Sequence, residues 1–97
     1  MNTVILNSNR LPQAMRLVRK AKGLTQEDFG LVSSRTYVST VERGLKGPTL
    51  DKIDELAKVL GVHPLTLLGL AYVQDQSVTG VKDLLMLVES QLREILP

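Results

Sequence analysis

Residues 23–44 of this 97-residue chain read GLTQEDFGLVSSRTYVSTVERG, and this stretch decides how the rest is interpreted. Its first part predicts a helix that starts at Thr25, because a threonine N-cap followed three residues later by Asp28 is typical of a capping box. Leu24 and Phe29 occupy the two positions of a hydrophobic staple around that start. Two independent signals therefore place a helix start in this stretch.

The second part of the stretch predicts another helix, which is capped by Ser34 and ended by the left-handed cap of Gly44. Hydroxyl-bearing and β-branched residues give this helix a poor intrinsic propensity, so packing of Val38 and Val41 must hold it in place. Its remaining side chains suit hydrogen bonds to base edges and phosphates. These candidates for nucleic-acid contact are Arg35, Thr36, Ser39 and Thr40.

Further helices are predicted on both sides of this stretch. The first helix of the chain has Pro12 in its first turn and ends at Gly23. A fourth helix is capped by Thr49 and ends at Gly61, and Pro64 opens a fifth. The apolar positions are Leu11, Ala14, Met15 and Val18 in the first helix, Leu50, Ile53, Leu56, Ala57 and Leu60 in the fourth, and Leu65, Leu67, Leu68 and Leu70 in the fifth.

The C-terminal part predicts a sixth helix after a linker. Residues 73–80 contain few large apolar side chains and form the predicted linker, whereas residues 81–97 carry apolar residues spaced four, three, four and three positions apart. Two heptads cannot sustain a free coiled coil, so this face packs on the body of the chain, on a second copy, or on both. The expected dimer contact consists of Val81, Leu85, Val88, Leu92 and Ile95.

The expected organisation therefore has four parts. Residues 1–9 form an arm, whose apolar residues 4–6 could strap across a partner, and residues 10–72 form the main domain. The linker and the C-terminal dimerisation helix complete the chain.

Charge is divided unevenly along the chain. Residues 10–46 hold eight basic and three acidic residues, a net charge of +5, whereas residues 48–97 hold four basic and seven acidic residues, a net charge of −3. A basic half suits contact with a polyanionic partner such as nucleic acid, and the acidic half suits a role other than that contact.

Composition argues against several classes of protein. The chain has no cysteine, which excludes disulfides and thiolate metal sites. No apolar run reaches the roughly 18 residues of a membrane span, and the N-terminus lacks the pattern of a signal peptide. His63 is the single histidine and lies at a helix start, where it suits a capping role. We therefore expect a cytoplasmic protein that is not an enzyme and needs no metal or cofactor.

Residues 18–68 resemble the family of phage repressor and Cro-type (Xre-like) helix-turn-helix regulators. Three ordered blocks carry the resemblance. They are Arg19 with Gly23, Leu24, Thr25, Gln26 and Glu27; then Tyr37, Val38, Ser39, Val41, Glu42, Arg43 and Gly44, followed by Pro48 and Thr49; and finally Leu60, Gly61, Val62, His63 and Pro64.

The resemblance implies an all-α fold, a five-helix lambda-repressor-like domain to which this chain adds a C-terminal helix. It also implies that the third helix lies in the major groove of double-stranded DNA. Arg19 and Glu42 match a structural ion pair of the family. The matched base-reading residues are Arg35, Thr36, Ser39 and Thr40, and the matched phosphate contacts are Gln26, Ser34, Arg43 and Lys46.

The function that the resemblance implies is sequence-specific regulation of transcription, with a homodimer repressing from a palindromic operator. The alternative is a protein-interaction module of the same fold, such as an antitoxin or anti-repressor. One departure from the family pattern bears on the site. Only fifteen residues separate Gln26 from Glu42, two fewer than the commonest spacing, and the turn lacks its usual glycine. This shortening predicts a change near the start of the third helix.

Overall fold

The computed structural model describes residues 9–73 and 75–97, and all of the regular structure in them is helical. These residues form five α-helices and one short 3-10 helix, which we call the 3-10 turn. The all-α class is therefore confirmed, whereas the role expected for residues 4–6 lies outside the described residues. In chain order the elements are α1 (Leu11–Ala21), the 3-10 turn (Gln26–Phe29), α2 (Arg35–Glu42), α3 (Leu50–Leu60), α4 (Pro64–Tyr72) and α5 (Val78–Ile95).

Local signals set most of these boundaries. Gly23, Gly44 and Gly61 follow α1, α2 and α3 with φ angles of +70°, +77° and +71°, a region that side chains with a Cβ rarely adopt. The hydroxyl oxygens of Ser34 and Thr49 accept backbone N–H groups in the first turns of α2 and α3, at 3.0 and 3.2 Å. The helix caps predicted at these five residues are confirmed.

A single core forms where the first four α-helices and the 3-10 turn meet. Phe29 of the 3-10 turn is completely buried in it, and α1 packs on both α2 and α4. No helix in the described part of the chain is long and apolar enough to cross a membrane. The buried apolar cluster consists of Ala14, Met15, Val18, Phe29, Val38, Val41, Ile53, Leu56, Leu60, Leu67 and Ala71.

The second predicted helix is reduced to the 3-10 turn. Its start is where the sequence placed it, because the Thr25 N–H donates to the Asp28 carboxylate at 2.7 Å. Its end comes early, because the helix stops at Phe29 and the Gly30 N–H bonds to the Glu27 carbonyl oxygen at 3.1 Å, the three-residue spacing of a 3-10 helix. Two residues fewer than usual separate Gln26 from Glu42. The chain must therefore reach Ser34, the cap of α2, soon after it buries Phe29, and a full α-helix has no room to form.

The C-terminal helix starts at Val78, so the linker ends at residue 77 instead of 80. Ser77 caps α5 by accepting the Gly80 N–H at 3.1 Å. Gly80 falls within the predicted linker, but a Cβ at this position of α5 would collide with the carbonyl oxygen of Asp75. The glycine allows this close approach and does not break the helix.

Candidate nucleic-acid interface

A buried carboxylate joins α1 to the end of α2. The Glu42 side chain is 1% exposed and accepts two N–H groups from Arg19, with Nε 2.6 Å from Oε2 and Nη2 3.0 Å from Oε1. Arg19 also donates from Nη1 to the carbonyl oxygen of Leu24 at 2.9 Å. Arg16 is more exposed, and its Nε lies 3.8 Å from the same carboxylate. Arg19 thus links α1, α2 and the segment between α1 and the 3-10 turn.

The surroundings of Glu42 favour its ionised form. Burial by itself would raise the pKa of the carboxyl, because a charged group loses hydration in the interior. The hydrogen bonds from Arg19 and Gln26, together with the positive charges of Arg19 and Arg16, outweigh burial and lower the pKa of Glu42 below its ordinary value. The hydrogen bond to Glu42 likewise raises the pKa of Arg19. Both side chains are therefore charged at neutral pH.

Gln26 is half-buried at the first position of the 3-10 turn. Its Nε2 donates to Glu42 Oε1 at 3.1 Å, which fixes the direction of the side chain. An amide nitrogen carries two N–H groups, so the second one remains available for a phosphate oxygen. The arrangement is thus compatible with the predicted phosphate contact and adds a structural bond that the sequence did not indicate.

Five of the predicted contact residues lie together on the surface formed by the 3-10 turn and α2. They line one shallow depression, in which Arg35 and Thr36 are exposed at the start of α2 and Arg43 is exposed just after its end. A helix of eight residues is about 12 Å long, so Arg35 and Arg43 lie at the two ends of a surface of about that length. The depression is lined by Gln26, Arg35, Thr36, Ser39 and Arg43.

Two predicted contact residues have a hydroxyl that already makes a local hydrogen bond. Thr40 is half-buried, and its Oγ1 donates to the carbonyl oxygen of Thr36 at 2.7 Å. Its hydroxyl proton is therefore used within the helix, leaving the oxygen lone pairs and the methyl group for a ligand. Ser34 is exposed and uses an oxygen lone pair for the α2 cap, so its hydroxyl proton remains free to donate.

Two lysines approach the ring of Tyr37 on α2. The Nζ atoms of Lys46 and Lys52 lie 5.8 and 5.1 Å from the ring centroid, within the range of cation–π contacts. Lys52 also donates to the Val32 carbonyl oxygen at 2.6 Å and so ties α3 to the turn before α2. Lys52 is not among the contact residues that the sequence predicts. Its spacing carries no signal for this contact, because the contact depends on how α3 packs against the turn.

The C-terminal helix keeps its apolar side chains largely uncovered. No residue of α5 is buried, and its contacts with α4 leave Val81 half-buried. The other four residues of the expected dimer contact are exposed, Ile95 by 74% of its surface. Burial of such a stripe requires a further surface. Those four residues are Leu85, Val88, Leu92 and Ile95.

His63 caps α4. Its Nδ1 accepts the Leu65 N–H at 3.0 Å, the role that its sequence position suggested. In residues 9–73 and 75–97, no three side chains of the metal-binding types come together.

Comparison with known proteins places residues 15–67, more than half of the chain, within the sequence model of a helix-turn-helix family. Control protein C.BamHI from Bacillus amyloliquefaciens is 39% identical over 59 residues, which cover 58% of this chain and 73% of that protein. An uncharacterized HTH-type transcriptional regulator, y4dJ, from Sinorhizobium fredii is 44% identical over 52 residues, which cover 52% of this chain and 68% of that protein. No solved structure matches the chain.

Proposed function

Because the chain belongs to the Cro/C1-type helix-turn-helix family of DNA-binding transcriptional regulators, we propose that it is a repressor that binds a palindromic operator as a homodimer, with α2 in the major groove. The observation that carries this proposal is the depression lined by Gln26, Arg35, Thr36, Ser39 and Arg43. Four of these residues lie on α2 or directly after it, and an α-helix with its side chains is about 10 to 12 Å across, which fits a major groove about 12 Å wide.

In the proposed complex the residues have three tasks. Arg35 reads a guanine through O6 and N7, with Thr36, Ser39 and Thr40 beside it. Cationic and polar groups around α2 contact phosphates and release counterions, which supplies much of the affinity. The Arg19–Glu42 pair touches no DNA and holds α2 against α1. The proposed phosphate contacts are Gln26, Ser34, Arg43 and Lys46.

Arg35 offers the sharpest test of sequence reading. A collection of random duplexes selected on the protein would first identify the operator, and fluorescence anisotropy would then compare single-base variants of it. Arg35→Ala is expected to reduce discrimination at one base pair by about 1 to 3 kcal/mol. Arg35→Lys keeps the charge but loses the bidentate fork, so it should lose discrimination while retaining most of the nonspecific affinity.

Lys58→Ala is the charge-matched control, since Lys58 is exposed on α3 outside the depression. Binding to DNA that is insensitive to salt would contradict the phosphate contacts. An Arg35→Ala loss that is equal on every duplex would assign Arg35 to a phosphate instead of a base. Loss of binding by Lys58→Ala but not by Arg35→Ala would move the interface away from α2.

A homodimer is supported by the uncovered stripe on α5. Two copies related by a two-fold axis read half-sites about one helical turn apart, which gives the operator its palindromic form. A regulator that occludes the promoter needs no surface beyond the DNA-binding face and the dimer contact, and this favours repression. The proposed place of action is the cytoplasm, where the protein meets its DNA.

Leu92→Glu tests the dimer without threatening the fold, because Leu92 is exposed. Sedimentation should show a dimer for the wild-type chain and a monomer of unchanged helicity for Leu92→Glu. If the wild-type chain is monomeric and is isolated from cells with a stoichiometric protein partner, the antitoxin or anti-repressor role replaces the proposed homodimer.

A further inference from the structure

The apolar stripe of α5 has the same spacing when it is read in either direction. Because the helix starts at Val78, this residue joins the five predicted positions, and the intervals along α5 become three, four, three, four and three residues. The midpoint of this pattern is the midpoint of the helix, between Met86 and Leu87. The six stripe residues are Val78, Val81, Leu85, Val88, Leu92 and Ile95.

We infer that two copies of this chain pair through α5 in antiparallel orientation, an arrangement that rests on the homodimer proposed above. In that orientation the two-fold axis passes through the helix midpoint, and every stripe residue meets a stripe residue of the second copy. Val78 then faces Ile95 of the other chain, Val81 faces Leu92, and Leu85 faces Val88. The contact is isologous and closes on itself, as a two-fold dimer requires.

Exposure of the stripe supports a surface that is completed by a second copy. Val78 and Ile95, at opposite ends of α5, are 87% and 74% exposed. The stripe therefore continues past the part of α5 that packs on α4. A single amphipathic helix of this length gains little stability by itself, whereas two such helices cover each other's apolar residues.

Charges beside the stripe favour the antiparallel arrangement. Lys82 and Glu89 each follow a stripe residue by one position, so both lie along the same edge of α5. In antiparallel pairing this edge meets the same edge of the second copy, and Lys82 lies within two residues, or about 3 Å along the axis, of the other chain's Glu89. Symmetry produces this ion pair twice. Parallel pairing would place Lys82 and Glu89 far apart.

Cysteine cross-linking of the full chain distinguishes the two orientations, because the chain has no cysteine of its own. Val78→Cys and Ile95→Cys replace exposed side chains and should leave the helicity unchanged. Antiparallel pairing predicts a mixed disulfide when the two variants are oxidised together, identified by its intact mass, and little product from either variant alone. Efficient cross-linking of Ile95→Cys with itself would overturn the proposal in favour of a parallel pair.

Charge exchange provides a second and independent measurement. At low ionic strength, Lys82→Glu and Glu89→Lys should each raise the dimer dissociation constant about tenfold, because two attractive pairs become repulsive. The double variant K82E/E89K should return to within about twofold of the wild type. Glu94→Lys, which makes the same change in charge on the opposite side of α5, is the matched control and should leave dimerisation unchanged.

The outcomes separate this inference from the function on which it rests. A chain that is dimeric by sedimentation, gives no mixed disulfide and does not respond to charge exchange uses another face, and the antiparallel pair is refuted while the homodimer stands. A chain that stays monomeric at every concentration refutes both the pair and the homodimer. Salt-dependent binding to a duplex by that monomer would still support the DNA-binding face.

Discussion

Replacing Glu42 by glutamine keeps the shape of the side chain and removes its charge, so it isolates the buried ion pair. The variant leaves the Arg19 guanidinium, whose side chain is only 11% exposed, without its counter-charge. The new amide can still accept through one oxygen, but its NH2 group faces N–H donors of Arg19 or Gln26. At least one charge-assisted hydrogen bond is lost, and a cation remains partly buried and poorly paired.

The cost can be estimated from these losses. A hydrogen bond to a charged group contributes about 1.5 to 3 kcal/mol, and removing one partner of a buried pair costs about 3 to 5 kcal/mol. Because the Leu24 carbonyl oxygen and some solvent still serve Arg19, we expect the low end, about 3 kcal/mol. For a domain of this size such a loss lowers Tm by about 15 °C.

The assay is urea unfolding followed by circular dichroism at pH 7, with Glu55→Gln as the control. Glu55 accepts from Lys52 at 3.2 Å, but the Glu55 side chain is 50% exposed and lies on α3, away from the stripe of α5, so this variant should cost less than about 0.5 kcal/mol. In the double variant Arg19→Met with Glu42→Gln, the cost should fall short of the sum of the single costs by more than about 1 kcal/mol. Additive costs, or a Glu42→Gln cost below about 1 kcal/mol, would refute the reasoning.

Three further predictions concern acidity, helix packing and DNA contact. The pKa of Glu42 is lower in the folded chain than its ordinary value of 4.5, so the ionised carboxylate contributes its full stabilisation to the fold above that value. This stabilisation is lost as the pH falls through the folded-state pKa, and the urea midpoints of the wild type and Glu42→Gln should therefore converge in acid. Gly80→Ala should lower Tm because its Cβ meets the Asp75 carbonyl oxygen, whereas Gly69→Ala has open space and should raise it slightly. Thr40→Val should weaken operator binding less than about threefold by anisotropy, because the hydroxyl proton is already bonded within α2, and a larger loss would show that the oxygen contacts DNA.

Helix ends could be predicted from the sequence because local chemistry determines them. Gly23, Gly44 and Gly61 occupy left-handed positions where other residues are strained, and Ser34 and Thr49 supply cap oxygens within one turn. These signals need no knowledge of the tertiary fold. All five helix ends could therefore be predicted from the sequence alone.

The length of the second helix and the start of the last one could not be predicted in this way. Phe29 ends the 3-10 turn because the core needs its ring, and the short spacing leaves no residues for another turn. Gly80 lies inside α5 because the Asp75 backbone approaches it closely. At Phe29 a tertiary contact overrides the local helix preference, whereas at Gly80 the deciding contact is a close backbone approach from five residues earlier in the chain.

Charge at the DNA-facing surface shows what a count of charges along the chain leaves out, and here the family resemblance supplied the missing part by matching Arg19 and Glu42 to a structural ion pair. Counted along the sequence, Glu42 is an acidic residue between candidate DNA contacts, and an exposed carboxylate there would repel phosphates. In the structure it is buried beneath Arg19 and beside Arg16, so the three side chains together present a net positive charge. Its oxygens hold Gln26 in the direction of the depression and are themselves withdrawn from solvent. The carboxylate can therefore position the DNA-facing residues without opposing the ligand, because burial and pairing decide its effect and sequence position does not.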